Sequence, residues 1–203
     1  MNVGWCANPI MRNCVVRGCK RVGLKCFDNG GGTFVRVRFE RCGAQGARLM
    51  QSADVSFLDC TFQECGEEGV VAMEDARVAL TRCTLGPGNK GPGIDASGRA
   101  RVQMGSCHVA GNVGGLWLWD HARAAMGGCT VAGGASHALL ADASSLLAAQ
   151  DTTIDGQVQC TASAWSGITR DASNAWLEPK QPVSLPPEEG PFLWDPLWYE
   201  RKQ

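Results

Sequence analysis

The sequence predicts an all-β fold, a right-handed parallel β-helix of about seven coils with 22–24 residues each. Three observations predict this fold. Glycine makes up 26 of the 203 residues, an excess that is typical of chains with many tight turns. Cysteines recur from Cys60 to Cys129 at separations of 23, 24 and 22 residues. Apolar residues occupy fixed positions relative to each cysteine, which indicates a repeat of short strands.

The repeat is defined by one marker position, which falls at Cys14, Val37, Cys60, Cys83, Cys107, Cys129 and Thr152. The column two residues after the marker is apolar and reads Val16, Phe39, Phe62, Leu85, Val109, Val131 and Ile154. The column three residues before it reads Met11, Phe34, Phe57, Leu80, Met104, Met126 and Ala149. Apolar positions in such short alternation are typical of half-buried strands.

A second strand follows a glycine about nine residues beyond the marker, at Gly23, Gly46, Gly69, Gly93 and Gly115. Its inward column reads Leu24, Ala47, Val70, Ile94, Leu116 and Leu139, and a small-residue corner follows at Ala53, Ala76, Ala100, Ala122 and Ala143. Glycine suits the corners where positive φ or close backbone approach excludes a Cβ. One repeat cannot bury its own apolar face, so we expect coils stacked around a continuous core.

This register divides the chain into three segments: a β-helix at 1–156, an irregular C-terminal cap at 157–177, and an extended tail at 178–203. The prolines of the tail favour an extended path, and its aromatic cluster indicates a segment that packs either on its own β-helix or on a partner. Residues 1–6 read as the second strand of a coil. We therefore expect either upstream sequence or another chain to cover the first coil.

Composition excludes several classes of function. The net charge of −1 lacks the basic excess of a nucleic-acid-binding protein, and no apolar run is long enough to span a membrane. The 11 cysteines cannot all pair within the chain, no Cys-x-x-Cys occurs, and only three histidines are present. We therefore predict no metal and no cofactor. The predicted core ladder (Cys14, Cys60, Cys83, Cys107, Cys129) and a shorter column (Cys19, Cys42, Cys65) need only a compact apolar side chain, and reduced thiols imply a cytosolic, nuclear or ciliary protein.

These columns resemble the parallel β-helix repeats of the pectin-lyase-like superfamily over roughly residues 9–156. They are most similar to the intracellular eukaryotic type, as in F-box receptors with β-helix repeats and SHC SH2-domain-binding proteins. The resemblance implies either a protein-binding module or a polysaccharide lyase or hydrolase. Such enzymes present clustered Asp residues, Ca²⁺ ligands or an Arg base on one outer face.

The outer columns beside the marker argue against an enzyme. One residue after it, the chain presents Thr61, Thr84, His108, Thr130 and Thr153 and no carboxylate. One residue before it, Asp59 and Asp151 lie four coils apart, about 19 Å, which is too far for a glycosidase carboxylate pair. His108 beside Asp59 or Arg82 is the remaining candidate base. We predict that the chain has no catalytic residues.

An outward patch of large apolar residues is the main candidate site. In Gly115-Leu-Trp-Leu-Trp, strand alternation sends Trp117 and Trp119 outward, and the same columns bring Val71, Met73 and Leu140 to neighbouring coils. A monomer rarely leaves a contiguous apolar patch open to water. The chain's own tail, a docked protein or a stacked sugar would each cover it.

The sequence thus predicts a non-catalytic scaffolding β-helix in a large cytoplasmic assembly, with the cytoskeleton or ciliary axoneme implied by resemblance. Its alternative is a carbohydrate-binding or carbohydrate-active β-helix that uses Trp117, Trp119 and His108. The expected partners are other protein chains, with no nucleic acid and no membrane. Contacts are assigned to the first coil, to the outward patch and to the tail residues Phe192, Leu193, Trp194, Leu197, Trp198 and Tyr199.

Overall fold

The structure, a computed structural model, describes residues 1–160 and a strand at 168–170. All elements in this part of the chain are β-strands joined by turns, and every strand pairing is parallel. Each coil contributes one strand to each of three sheets, which run side by side along the solenoid. The predicted right-handed parallel β-helix of about seven coils is confirmed.

The first sheet contains, in spatial order, β1 (Asn2–Val3), β4 (Leu24–Cys26), β7 (Ala47–Leu49), β10 (Val70–Ala72), β13 (Pro92–Ala96), β16 (Gly114–Leu118), β19 (Leu139–Ala141) and β22 (Val158–Cys160). The second contains β2 (Ile10–Arg12), β5 (Gly31–Val35), β8 (Asp54–Leu58), β11 (Arg77–Thr81), β14 (Arg101–Gly105), β17 (Arg123–Gly127) and β20 (Leu146–Gln150). The third contains β3 (Val15–Arg17), β6 (Arg38–Glu40), β9 (Thr61–Gln63), β12 (Thr84–Leu85), β15 (His108–Val109), β18 (Thr130–Ala132), β21 (Thr152–Asp155) and β23 (Ile168–Arg170).

We number the coils by their strands, so that coil 1 holds β1–β3 and coil 7 holds β19–β21. Two strands fall within the segment that the sequence assigned to an irregular cap. β22 extends the first sheet beyond coil 7, and β23 pairs with β21 in the third sheet. Parallel pairing therefore continues past residue 156.

The core is the interior of the solenoid, where the predicted apolar columns lie. Equivalent residues pair in register, for example Phe57 with Leu80 and then Leu80 with Met104. From coil 2 to coil 7 the two columns that flank the marker are buried, as is the inward column of the first sheet. No single coil can bury these side chains. They are removed from water because neighbouring coils stack on one another.

The glycine corner agrees with the expectation from the sequence, and the small-residue corner differs from it at one position. The five corner glycines leave no room for a Cβ. At four of them the next coil lies against the glycine: a Cβ at Gly46 would stand 2.7 Å from the carbonyl oxygen of Gly69. At Gly93 the nearest group is the Val109 side chain of the same coil. In the small-residue corner, Ala143 is a wrong assignment. Ser145 is fully buried there, since Leu146 pairs with Arg123 and so places Ser145 beside Ala122.

A third corner was not expected. The residue before the marker adopts a left-handed conformation in coils 1–7, although glycine occupies it only once. These residues are Asn13, Arg36, Asp59, Arg82, Ser106, Gly128 and Asp151, with φ between 48° and 62°. A turn of this kind rotates the chain sharply from the second sheet into the third.

Candidate functional site

The outer face of the first sheet carries the predicted patch. One outward column runs through Lys25, Arg48, Val71, Asp95, Trp117 and Leu140. Two residues further along each strand, Met73, Ser97, Trp119 and Asp142 follow one another from coil to coil. The five apolar residues of the predicted patch are all half-buried. They lie on one face, as the alternation predicted.

The patch is not contiguous, which corrects the expectation. Asp95 separates Val71 from Trp117 in one column, and Ser97 stands between Met73 and Trp119 in the other. Coil 5 thus places two polar side chains between the apolar residues of coils 4 and 6, whose backbones lie two coil spacings, about 9.6 Å, apart. We call this surface the tryptophan notch; it consists of Val71, Met73, Asp95, Ser97, Trp117 and Trp119.

The two indoles are held at a right angle to each other. Their ring centroids are 6.5 Å apart and their planes meet at 86°. Trp117 donates its Nε1 hydrogen to the carbonyl oxygen of His137, at 3.2 Å. A Cβ on Gly114 would lie 2.6 Å from Trp117 Nε1, so this ring folds back over a glycine that has no side chain to obstruct it. The pair is therefore a preformed aromatic corner.

Asp95 is the polar group of the notch, and sequence reasoning missed it. Burial and the nearby Glu68 carboxylate raise its pKa to about 6, although a hydrogen bond from the Trp119 indole opposes that rise. Neither acid forms a salt bridge with a Lys, Arg or His of residues 1–160. Glu68 instead accepts a hydrogen bond from Gln45 at 3.1 Å. The available signal was the single acid in an otherwise apolar strand, Gly93-Ile-Asp-Ala.

Asp142 borders the notch but serves the backbone. It accepts hydrogen bonds from the backbone and hydroxyl groups of Ser144 and Ser145, and from the backbone of Asp120. Burial would raise the pKa of this carboxyl, yet those hydrogen bonds hold it at about 2. Asp142 therefore caps the turn that it begins.

The cysteine ladder lies at the corner between the second and third sheets. Cys60, Cys83, Cys107 and Cys129 are buried, whereas Cys14 is half-buried in the first coil. Each buried thiol lies within hydrogen-bond distance of a carbonyl of its own coil and one of the preceding coil. For Cys107 these are Gly105 at 3.4 Å and Leu80 at 3.3 Å. The expectation that a compact apolar side chain suffices here is therefore incomplete, because the thiol is also a weak donor.

The pKa values of the buried ladder thiols alternate from coil to coil. Burial raises the pKa of Cys83 well above its ordinary value, and a hydrogen bond with Cys107 raises that of Cys129. Hydrogen bonds with the neighbouring thiols lower the pKa of Cys60 and of Cys107. All 11 cysteines are free thiols. Among the described residues there is also no group of three or more His, Cys, Asp or Glu that could hold a metal ion.

The shorter cysteine column continues as an asparagine ladder, which the sequence analysis did not predict. Asn89 Oδ1 accepts from the backbone of Cys65, and its Nδ2 donates to Phe62 and to Asn112 Oδ1, at 2.9–3.0 Å. Asn112 Nδ2 donates to the carbonyl oxygen of Leu85 at 2.8 Å. Both amides are almost fully buried. The available signal was their 23-residue spacing, which continues the column of Cys19, Cys42 and Cys65.

The first coil presents the most exposed large apolar side chains of the described residues: Met1 at 42%, Trp5 at 84%, Ile10 at 65% and Val15 at 44%. Its three strands each pair on one side only within residues 1–160. Unpaired strand edges beside exposed apolar groups are a template for a further strand or another chain.

The outer face of the third sheet does not bring His108 together with a free Asp59. His108 is exposed between Thr84 and Thr130. Asp59 is engaged by Arg82, whose Nε and Nη2 lie 2.8 and 3.1 Å from its two carboxylate oxygens. The proposed base at His108 therefore has no free carboxylate partner at Asp59.

The six predicted contact residues of the tail, from Phe192 to Tyr199, lie outside the described residues. Within the described part of the chain, no helix has the length and apolar character needed to cross a bilayer.

Comparison with known proteins supports the fold and no more. The family described as the right handed beta helix region matches residues 1–86, which cover coils 1–4. No curated protein and no solved structure matches the chain.

Proposed function

We propose that the chain is a non-catalytic β-helix module that binds other protein chains through the outer face of its first sheet. The observation that carries this proposal is the tryptophan notch, where two indoles stand half-buried at a right angle on the outer face of the first sheet. Trp is among the residue types most enriched in the positions that dominate protein–protein binding. Because a hydrogen bond holds the Trp117 ring before binding, little of its side-chain entropy is lost when a partner docks.

The first coil is a second contact surface in this proposal. Its three one-sided strands and its exposed Trp5, Ile10 and Val15 can accept further strands at this end of the solenoid, from preceding residues of the same protein or from a partner. Contacts at one end and on one face suit a protein that links neighbours within an assembly. We place this assembly in the cytoplasm, since reduced cysteines and the family resemblance favour the cytoskeleton or a cilium.

A second candidate function is carbohydrate binding or glycoside cleavage. One observation favours it: Asp95 carries a raised pKa of about 6, has Glu68 as a neighbour and lies beside Trp119. Glycosidases use two carboxyl groups held at different pKa values, and sugars stack on aromatic rings. Against this candidate, Trp117 lies against its own backbone at Gly114 and presents one ring face only.

The experiment that separates the two functions replaces both indoles, Trp117→Ala with Trp119→Ala. A matched control, Thr84→Ala with Thr130→Ala, removes two half-buried outward side chains from the third sheet. Proteins that co-purify with each variant are quantified by mass spectrometry, and glycan binding is measured in parallel. We expect the indole variant alone to lose a defined set of protein partners, with glycan binding absent throughout.

Two results would contradict the proposal. Loss of glycan binding without loss of any protein partner would favour the carbohydrate function. An unchanged set of partners in the indole variant would mean that the notch is not a protein-binding surface.

A further inference from the structure

We infer that segment 188–195 of the chain's own tail lies along the outer face of the second sheet, over coils 2–6. This face is separate from the tryptophan notch, and the inference does not depend on the proposed function. The segment lies outside the described residues, whereas the strands that form the face are all described.

Several outward residues of the second sheet are buried. Strand alternation points them away from the interior, yet Val35, Ser56, Ala79 and Ala125 are only 2–7% exposed. The three apolar residues among them do not belong to the contiguous core of the solenoid. In the first sheet, by contrast, the outward column described above is half-buried throughout. The outer face of the second sheet is therefore the more deeply covered of the two.

Neighbouring side chains account for only part of this cover. Gln103 lies in register between Ala79 and Ala125 and is long enough to reach over both. Ser56, however, lies between Thr33 and Ala79, which are both short. Because short side chains do not bury one another on the outside of a sheet, the burial of Ser56 indicates that a further segment passes over this face.

A row of arginines borders the buried positions. Arg77, Arg101 and Arg123 are paired in register on consecutive strands, so Arg101 has an arginine on each side at a strand spacing of about 4.8 Å. Like charges directly opposite each other on neighbouring strands destabilise a sheet. Asp54 lies beside Arg77 at one end of the row and offsets part of this repulsion. Carboxylates over the row would offset the rest, since guanidinium groups bind them through two parallel hydrogen bonds.

Segment 188–195 has the composition that fits such a face. It contains three acids, three large apolar residues and no Lys, Arg or His. The acids are Glu188, Glu189 and Asp195, and the large apolar residues are Phe192, Leu193 and Trp194. Large side chains are complementary to a surface of small ones, and the ring face of Trp attracts a guanidinium group. Pro191 favours an extended path.

The first coil is the competing surface for an acidic segment. Residues 1–48 contain nine Lys or Arg residues against two acids. The apolar residues of that coil are open to water, however, with Trp5 at 84% and Ile10 at 65% exposure. An aromatic segment seated there would bury them. The pattern of exposure thus favours the second sheet.

The chain is long enough to place the segment on this face. Strand β23 ends at Arg170 and pairs with β21 of coil 7. The 17 residues from 171 to 187 reach about 50 Å when extended, whereas coil 2 lies five coil spacings, about 24 Å, from coil 7. The segment itself spans about 22 Å when extended, which is close to the four spacings, about 19 Å, between coils 2 and 6.

The first test places the photoreactive amino acid p-benzoylphenylalanine at position 194 of the full chain, instead of Trp194. Equal amounts of ¹⁵N-labelled and unlabelled protein are mixed, irradiated and digested, and crosslinked peptides are identified by mass spectrometry. We expect crosslinks to β8, β11, β14 or β17, with the same isotope in both halves of each crosslink. The matched control carries the photoreactive residue instead of the exposed Trp5 and should give no crosslink to these strands.

The second test measures the charge complementarity by hydrogen exchange. The backbone amides of residues 192–195 should exchange at least about tenfold more slowly in the full chain than in a free peptide of the same sequence. Arg101→Gln removes the central cation of the row and should reduce this protection about fivefold. Glu188→Gln with Glu189→Gln changes the tail alone and should have the same effect, and the combined variant should lose no more. Arg21→Gln, at an exposed arginine of coil 1, is the matched control and should leave the protection unchanged.

Crosslinks that join the two isotopic forms would assign the segment to a second copy of the chain, and crosslinks confined to coil 1 or the first sheet would assign it to another face. Either result overturns the inference, as does exchange as fast as in the free peptide or full protection in Arg101→Gln. The indole double variant alters neither the segment nor this face, so its effect on protein partners tests the proposed function separately.

Discussion

Coils 2 and 3 fill the interior of the solenoid with rings, whereas coils 5 and 6 fill the same interior with aliphatic and sulfur-containing side chains. Phe34 stacks on Phe57 at 5.3 Å, and Phe39 stacks on Phe62 at 4.9 Å. The equivalent positions of coils 5 and 6 are Met104, Met126, Val109 and Val131, all buried.

Between coils 3 and 6 the remaining column offsets part of this difference in volume. Coil 3 presents Ala47 and Leu49 from its first-sheet strand towards the rings, while coil 6 presents Leu116 and Leu118. Interiors are packed to a nearly constant density, so a smaller residue in one column favours a larger one in another. The inward positions of these two coils are therefore coupled to each other.

The outward positions of the same strands are free of that coupling. Along one column the residues change from Lys25 and Arg48 in coils 2 and 3 to Asp95 and Trp117 in coils 5 and 6. Four of the five aromatic residues of the first region lie inside, with Phe27 outward beside Lys25, whereas both tryptophans of the second region lie outward. The interior of coils 2 and 3 therefore contributes stability, and the proposed binding belongs to the exterior of coils 5 and 6.

The largest expected effect comes from Phe57→Ala. Phe57 contacts three other rings, and its removal leaves a cavity that the stacked coils cannot close. We expect the free energy of unfolding to fall by about 4 kcal/mol, and by about 3 kcal/mol for Met104→Ala at the equivalent position. Urea denaturation followed by circular dichroism measures both. Equal losses in the two variants would mean that ring stacking adds nothing to burial.

The next effect concerns the asparagine ladder, which joins the two regions through coil 4. Asn89→Ala leaves the Cys65 N–H and the Phe62 carbonyl oxygen without their partner, at a cost of about 1–3 kcal/mol for a buried polar group. Asn112→Ala is the control, because it frees the Leu85 carbonyl oxygen and no backbone N–H. We expect Asn89→Ala to lower the denaturation midpoint more. The reverse order would show that the ladder acts through Asn112.

A smaller effect, with a definite sign, comes from Asp95 in coil 5. Its pKa is about 6 in the folded protein and close to 3.8 in the unfolded chain, mainly because of burial. The folded state thus binds the proton more tightly, and stability falls as the pH rises from about 4 to 6. Asp95→Asn should remove this fall and stabilise the protein at pH 7, by about 1 kcal/mol after allowance for solvent screening. Thermal unfolding at pH 4 and pH 7 measures it, and an identical pH profile in both proteins would contradict it.

The same contrast explains which features the sequence could predict. The inward columns repeat every 22–24 residues because every coil must fill the same cylinder, so spacing alone located Phe57, Met104 and the cysteine ladder. Outward residues do not have to fill the cylinder, so no packing requirement makes them repeat. Trp117 and Trp119 could be placed on the correct face by strand alternation, but the effect of Asp95 and Ser97 on the patch depends on neighbouring coils in register.

Two further features needed the structure for a different reason. The hydrogen bonds of the cysteine thiols depend on where the corner carbonyls point, which composition does not encode. The left-handed corner was hidden because six of its seven residues are not glycine. Ala143 was misplaced because the corner residue of coil 7 is a serine: the offset of 23 residues from Leu118 to Ala141 is kept from Ala122 to Ser145, which takes the buried position.

The smallest expected effect comes from glycine substitutions at the left-handed corner. They should raise the free energy of unfolding in coil 5 but not in coil 3. Ser106 in coil 5 is exposed with φ of 52°, a conformation that costs a non-glycine residue about 1 kcal/mol. Ser106→Gly relieves this strain but gains chain entropy in the unfolded state, so we expect a net stabilisation of about 0.5 kcal/mol. Asp59→Gly relieves the same strain in coil 3 yet loses the exposed bidentate contact with Arg82, worth about 0.5–1 kcal/mol, and should be neutral or destabilising.

If urea denaturation shows Asp59→Gly to be the more stabilising change, the Arg82–Asp59 pair contributes nothing to stability. The corners of coils 3 and 5 would then be equivalent, and the difference between the two regions would be confined to the interior and to the notch.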